Sequence, residues 1–268
     1  MRSSGLAPSR ALPAGFTDVR WQSRMLKKPM AFLIRVPEPG CSGTPSYPAL
    51  YLLHGSGHDR WSVLQHVVTD GQLEALGNAV LVIPDGDQGW WLDSPVVPNS
   101  RYAAYFWELV QRVETLYPTD PSREARGVCG FSMGGFGAMR LCSQYPDRIL
   151  SASSLLGTLD ISHLFPTYYR LSLLLGSDLE VWRQHNPTDH VDRLAHTGLW
   201  FCTGQQAFDR PQNDAFSAAL EARGIASEYH VYAGDHDTAF VRAHTAKAFG
   251  FHRRTFDQAA TERLQSAQ

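Results

Sequence analysis

Gly127-Val128-Cys129-Gly130-Phe131-Ser132-Met133-Gly134-Gly135-Phe136-Gly137 is the stretch that decides the fold. An apolar strand end runs into Gly-x-Ser-x-Gly at 130–134, then into a helix-like run at 138–145 that Pro146 stops. A serine between such glycines fits a sharp strand-to-helix turn, because the missing Cβ atoms two before and two after it remove the clashes that turn would create. The helix that follows aims its free N-terminal N–H groups at the serine oxygen and at any oxyanion formed beside it. Ser132 is thereby a candidate nucleophile toward a carbonyl. The bland alternative is a glycine-rich turn with a satisfied hydroxyl, and the strand before and helix after favour the nucleophile.

Upstream, 18–23 and 30–36 alternate as two strands of an antiparallel hairpin, closed by Pro37, and 37–48 has loop composition. Residues 49–53 and 79–84 are continuous apolar runs, the mark of strands covered on both faces. The first ends in His54-Gly55-Ser56-Gly57, where glycines let backbone N–H groups approach a ligand; the N–H of Ser56 is expected to share an oxyanion with that of Met133. His54 and His58 are four apart, but the glycines between them argue against a metal pair, and a packed His54 buttressing the loop is preferred. The second run delivers Asp85-Gly86-Asp87-Gln88-Gly89-Trp90-Trp91 to the same sheet edge. Trp90 and Trp91 either line an acyl or aromatic pocket or cap the core. His54, Gly55, Trp90 and Trp91 are the candidates for substrate contact, and Asp85 and Asp87 are expected to be capping carboxylates of a solvated loop.

Residues 61–76 are broadly helical with a break near Asp70-Gly71, and 101–117 carries an aromatic stripe at helical spacing, stopped by Pro118. Further strands are expected at 148–155, 199–204 and 227–232, with helices at 211–222 and about 238–253. Strands alternating with helices call for a mostly parallel sheet with right-handed crossovers. Residues 157–196 break the rhythm with short helical pieces, either a lid-like insertion over the strand ends or an ordinary pair of crossover helices. The expected organisation is a flexible leader at 1–15, one α/β domain at 16–256 and a polar tail at 257–268.

The chain has 268 residues, 43% hydrophobic and 19% charged, with net charge −2. Such a balance offers no field for nucleic acid or an anionic membrane, which points to a small-molecule or acyl substrate. Cys41, Cys129, Cys142 and Cys202 show no paired spacing, and reduced, buried roles are expected. No apolar run approaches the ~20 residues needed to span a bilayer, and no signal-peptide core is visible; a cytoplasmic location is the expectation. Oligomeric state is not readable.

Three strand ends present Ser132, Asp209 and His236 in the order Ser, Asp, His expected of an α/β-hydrolase. A serine hydroxyl needs a base to take its proton, and a carboxylate to hold that imidazole in the right tautomer. His236 alone among the histidines follows a late strand by a short glycine loop and precedes the terminal helix. Asp209 is the first carboxylate after the 199–204 strand; Asp214 is its main rival, with Asp235 and Asp237 adjoining the histidine.

These residues carry a resemblance. Tyr51-Leu52-Leu53-His54-Gly55, Pro84-Asp85-Gly86, the elbow at 130–138, Tyr145-Pro146-Asp147-Arg148 and Gly234-Asp235-His236-Asp237 together resemble the putative esterase family of α/β-hydrolases, over about residues 18–252. That family is related to esterase D and includes tributyrin and feruloyl esterases, S-formylglutathione hydrolases and mycolyltransferases. The resemblance implies a serine carboxylesterase without a cofactor, acting on small acyl or aromatic esters through an acyl-enzyme. Ser132 would be the nucleophile, Ser56 and Met133 the oxyanion donors, and His236 the base. Two departures stand out. The acid after Gly204 comes later than the family's short Gly-x-x-Asp spacing, and Thr238 stands where many relatives have tryptophan. An acyltransferase using an alcohol acceptor, and a binding protein on a hydrolase scaffold without turnover, are the alternatives.

Overall fold

The computed structural model describes residues 11–38 and 46–266. Most of the expected leader, Cys41 with the middle of its proline-rich loop, and the last two residues lie outside them.

The hairpin is formed by β1 (Phe16–Gln22) and β2 (Pro29–Arg35), paired antiparallel with Phe16 opposite Arg35. The two continuous apolar runs become β3 (Ala49–Leu53) and β4 (Val80–Pro84), every residue of which is buried. Later strands are β5 (Arg126–Phe131), β6 (Ser151–Leu155), β7 (Gly198–Gly204) and β8 (Glu228–Tyr232). They form one eight-stranded sheet in the order β1-β2-β4-β3-β5-β6-β7-β8, parallel from β4 to β8. Adjacent parallel strands end level: Leu53 pairs with Gly130, Phe131 with Leu155, Leu155 with Cys202, and Gly204 with Tyr232. The loops that follow therefore leave the sheet at one edge.

Successive strand residues point to opposite faces, and both faces are apolar. In β3, Tyr51 and Leu53 enter one core while Leu50 and Leu52 enter the other. The second core is closed by α1 (Arg60–His66) and α2 (Asp70–Leu76), separated by the break the sequence suggested. The first is closed by the aromatic stripe of α3 (Tyr102–Leu116) and by α4 (Met133–Gln144).

The 157–196 segment holds α5 (Tyr169–Leu175), α6 (Leu179–Arg183) and flanking 3-10 turns. Leu171, Trp182, Val191 and Leu194 are fully buried and anchor it to the α4 side of the body. Its tip residue Tyr168 reaches the strand-end edge, packing on Trp90.

After α7 (Arg210–Glu221) the chain ends in α8 (Thr238–Ser266), which corrects the expected stop near Arg253 and the polar tail beyond it. The apolar stripe continues through Phe249, His252, Phe256 and Ala259, all buried, so the helix keeps a face to bury after its composition turns polar. Arg263 on its last turn pairs with Asp120 at 2.8 Å. His252 locks α8 onto β6, its ring nitrogens bonded to Ser151 and Ser153 at 2.7 Å each; burial holds its pKa down to about 3. Among the described residues, no helix is long and apolar enough to cross a membrane.

Candidate active site

Ser132 sits between β5 and α4 with φ 53° and ψ −119°, a left-handed conformation that a non-glycine residue holds only when its surroundings dictate it. The glycines around it are what the turn demands. A Cβ on Gly130 would lie 2.1 Å from the Gly134 carbonyl oxygen, and one on Gly134 would lie 2.1 Å from that of Leu53. Both obstacles are backbone and cannot swing away. The Ser132 N–H is anchored to the Leu155 carbonyl at 3.0 Å.

The His236 Nε2 lies 2.9 Å from Ser132 Oγ, and its Nδ1 lies 2.6 Å from Asp209 Oδ1. Asp209 caps α7 and is wholly buried. Its second oxygen accepts from Thr203 Oγ1 at 2.7 Å and from Asn213 Nδ2 at 3.0 Å. With that oxygen occupied by two donors, Oδ1 is left for the imidazole N–H, which fixes Nε2 as the acceptor facing the serine.

Asp214, the rival acid, points away: it accepts from Tyr229 OH at 2.6 Å, and its side chain is 48% exposed. Asp237 caps α8 through the Phe240 N–H at 2.7 Å, and Asp235 receives the N–H of His236 itself at 2.7 Å. The late position of Asp209 is absorbed by a tight turn. The N–H groups of Gln205 and Gln206 bond to the carbonyls of Tyr232 at 2.8 Å and Gly234 at 3.0 Å, which pulls the 205–208 loop against the loop that carries His236.

The expected oxyanion donors flank Ser132. Met133 opens α4, where N–H groups have no intrahelical acceptor, and neither it nor Ser56 donates to a backbone carbonyl in the described turns and caps. The Ser56 hydroxyl donates to Gln88 Oε1 at 2.6 Å and lies 3.4 Å from Tyr168 OH, and His58 Nδ1 donates to the Ser56 carbonyl at 3.2 Å. Ser56 is thus tied on three sides. Gln88, Tyr168 and His58 were not singled out for this in the sequence, because their roles exist only once three distant loops meet.

Three of the four substrate-contact candidates require correction. His54 is wholly buried: its Nδ1 donates to the Gly55 carbonyl and its Nε2 accepts from Gly86 N–H, both at 2.8 Å. Burial lowers its pKa to about 4, so it is a neutral brace between two loops. Trp91 is also wholly buried, edge-on to His54, in a slot that exists because Gly86 and Gly137 lack side chains; a Cβ on either would come within 2.5 Å of its ring. Trp90 is buried against Phe136 and Tyr168. The two tryptophans cap the core. Asp85 accepts from the backbone N–H and guanidinium of buried Arg60, so it caps the start of α1 as expected, but it is ion-paired and largely buried rather than on a solvated loop; Asp87 accepts from Lys28 and Tyr102 and caps no helix.

Gly55 does face the cavity beside Ser132, about 120 Å³ in volume, whose walls include Phe131, Leu156, Val241, Thr238 and His58. Larger surface grooves elsewhere hold neither the serine nor the histidine. Among the described residues no group of three or more His, Cys, Asp or Glu side chains is placed to hold a metal ion, and Cys129, Cys142 and Cys202 are free and buried.

The family described as "Putative esterase" matches residues 23–251. Esterase MT1326 of Mycobacterium tuberculosis (strain CDC 1551 / Oshkosh) is 26% identical over 222 residues, 71% of this chain and 49% of that protein, so the chain spans about half that relative's length. An S-formylglutathione hydrolase of Paracoccus denitrificans (strain Pd 1222) is 25% identical over 257 residues, covering 87% of this chain and 91% of that one. Among solved structures, the fluorophosphonate-binding serine hydrolase FphF of Staphylococcus aureus superposes with a TM-score of 0.80 at 18% identity, covering 89% of this chain and 98% of that one. The architecture is the α/β-hydrolase fold.

Proposed function

The chain belongs to the Putative esterase family, and on that premise we propose that it is a serine carboxylesterase that cleaves esters of small acyl groups through an acyl-enzyme on Ser132. The observation that carries this reading is the unbroken hydrogen-bond chain from Ser132 Oγ through His236 to buried Asp209. Attack by Ser132 on the ester carbonyl passes the hydroxyl proton to His236 Nε2, and Asp209 stabilises the resulting imidazolium. The carbonyl oxygen, now an anion, is met by the N–H groups of Ser56 and Met133; each such donor is worth roughly 100- to 1,000-fold in rate. Collapse of the intermediate breaks the ester C–O bond, and His236 returns the proton to the departing alcohol. Water then repeats the sequence on the acyl-serine and releases the acid.

The size of the acyl group follows from the cavity. The cavity beside Ser132 is small and walled in part by Phe131, Leu156 and Val241, which supports short acyl groups over long chains. Hydrolysis of p-nitrophenyl acetate should be abolished in Ser132→Ala with the thermal midpoint nearly unchanged, and butyrate should be cleaved far faster than octanoate. Retained cleavage by Ser132→Ala would remove the nucleophile assignment; octanoate as the better substrate would remove the small-acyl reading.

A further inference from the structure

Phe208 does something unusual for a phenylalanine: it stays 59% exposed while lying against the imidazole of His236, with ring centroids 4.4 Å apart and planes 31° from parallel. One face of its ring covers the histidine and the remainder meets water. The backbone that carries it is fixed on both sides. Asp209 is clamped by Thr203, Asn213 and His236, Ala207 is buried, and the preceding N–H groups of Gln205 and Gln206 are bonded to the His236 loop. The exposed part of this ring is a surface on which a partner ring can pack.

The reaction places a group there. The alcohol oxygen of the ester takes its proton from His236 Nε2, so the first atoms of the alcohol moiety lie beside the imidazole. The acyl group remains bonded to Ser132 after the alcohol has gone, and suits the cavity walled by Phe131, Leu156 and Val241. The alcohol leaves first and needs an open path. One exposed surface adjoining the imidazole is the free part of the Phe208 ring.

We propose that Phe208 is the binding platform for the alcohol moiety, and that the preferred esters join a small acyl group to an aryl or arylalkyl alcohol. This rests on the esterase reading of Ser132. A flat ring offset on Phe208 gains an aromatic contact that a saturated ring of similar bulk does not.

The test compares kcat/KM for 2-phenylethyl acetate and 2-cyclohexylethyl acetate, whose alcohols match in length and differ in the π face. The native enzyme should favour the phenyl ester by about two- to tenfold, chiefly through KM. Phe208→Tyr should keep the ratio and Phe208→Leu should bring it to about one. Competitive inhibition of the native enzyme by 2-phenylethanol and 2-cyclohexylethanol gives the same comparison without any variant, and the aromatic alcohol should bind more tightly. A native ratio near one, equal inhibition by the two alcohols, or an unchanged ratio in Phe208→Leu overturns the platform and leaves the esterase reading standing. A native protein that cleaves neither ester overturns both.

Discussion

Replacing Asp209 by asparagine changes one oxygen to an NH₂ and almost nothing in volume, so its effect isolates the hydrogen-bond logic of the site. The buried amide has two ways to sit. With its NH₂ toward Thr203 and Asn213, it confronts the Asn213 amide N–H, which donates to Asp209 Oδ2 at 3.0 Å and cannot become an acceptor without a flip that breaks its 2.9 Å bonds to the Gly157 and Asp209 carbonyls. With its NH₂ toward His236 it needs the imidazole Nδ1, 2.6 Å away in the native enzyme, to be the acceptor. The second costs less, because an imidazole can exchange tautomers. Its price falls on catalysis: Nε2 then carries the hydrogen and cannot take the proton of Ser132. A wrong tautomer at a triad histidine lowers kcat by about 10⁴-fold, or about 5.5 kcal/mol in the barrier at ~1.4 kcal/mol per tenfold. Asp214→Asn alters a half-exposed carboxylate whose partners are Tyr229 and Arg210, and should change kcat by less than about twofold. The assay is steady-state hydrolysis of p-nitrophenyl acetate beside thermal unfolding of each variant. Loss of less than tenfold in Asp209→Asn, or a larger loss in Asp214→Asn, would refute the reasoning.

At the elbow, Gly134→Ala sets a methyl against the Leu53 carbonyl, at a cost of about 3 kcal/mol and a fall of roughly 6–12 °C in Tm; exposed helical Gly71, whose added Cβ meets nothing closer than 3.8 Å, should instead raise Tm on substitution by alanine. Calorimetry of the two variants decides, and equal midpoints would show that the close approach is not binding on the fold. Acid stability should be set in part by His54 and His252, whose pKa values burial lowers to about 4 and about 3. Both stay neutral in the folded chain while the unfolded chain protonates them below about 6.5, so the unfolded state binds more protons and stability falls as pH drops from about 6.5 toward 4. Two such groups remove roughly 2–3 kcal/mol between pH 6 and 5, and His185, held down to about 3 by burial, adds to the same slope; it is readable as a falling urea midpoint whose slope His252→Asn should reduce by about a third, and a midpoint flat across that window would contradict the linkage.

Much of the parallel sheet was legible because β3 and β4 are continuous apolar runs and because a positive-φ serine needs the glycines that stand around it. Order along the chain then picked out His236. The tryptophans were not legible for the opposite reason: whether Trp91 faces water depends on Gly86 and Gly137, 51 residues apart, offering slots to the same ring. Both glycines are visible in the sequence, but their shared neighbour is not. Order also favoured Asp209 over Asp214; that Asp214 turns away to Tyr229 is a fact set by tertiary packing. The length of α8 was misjudged because polar composition masked the two buried positions, Phe256 and Ala259, that continue its stripe.

Ser132 and His236 are hydrogen-bonded across 104 residues of chain, and the histidine is followed at once by the long closing helix α8. On the proposed mechanism, a ribosome that has delivered the elbow has made a nucleophile without its base, and at ~5–20 residues per second that interval lasts roughly 5 to 20 s. In refolding, pairings so distant in sequence are among the slowest to form, so the return of ester cleavage marks the docking of β8 and α8 rather than collapse of the first strands. Turnover is in that sense a clock for the completion of the molecule.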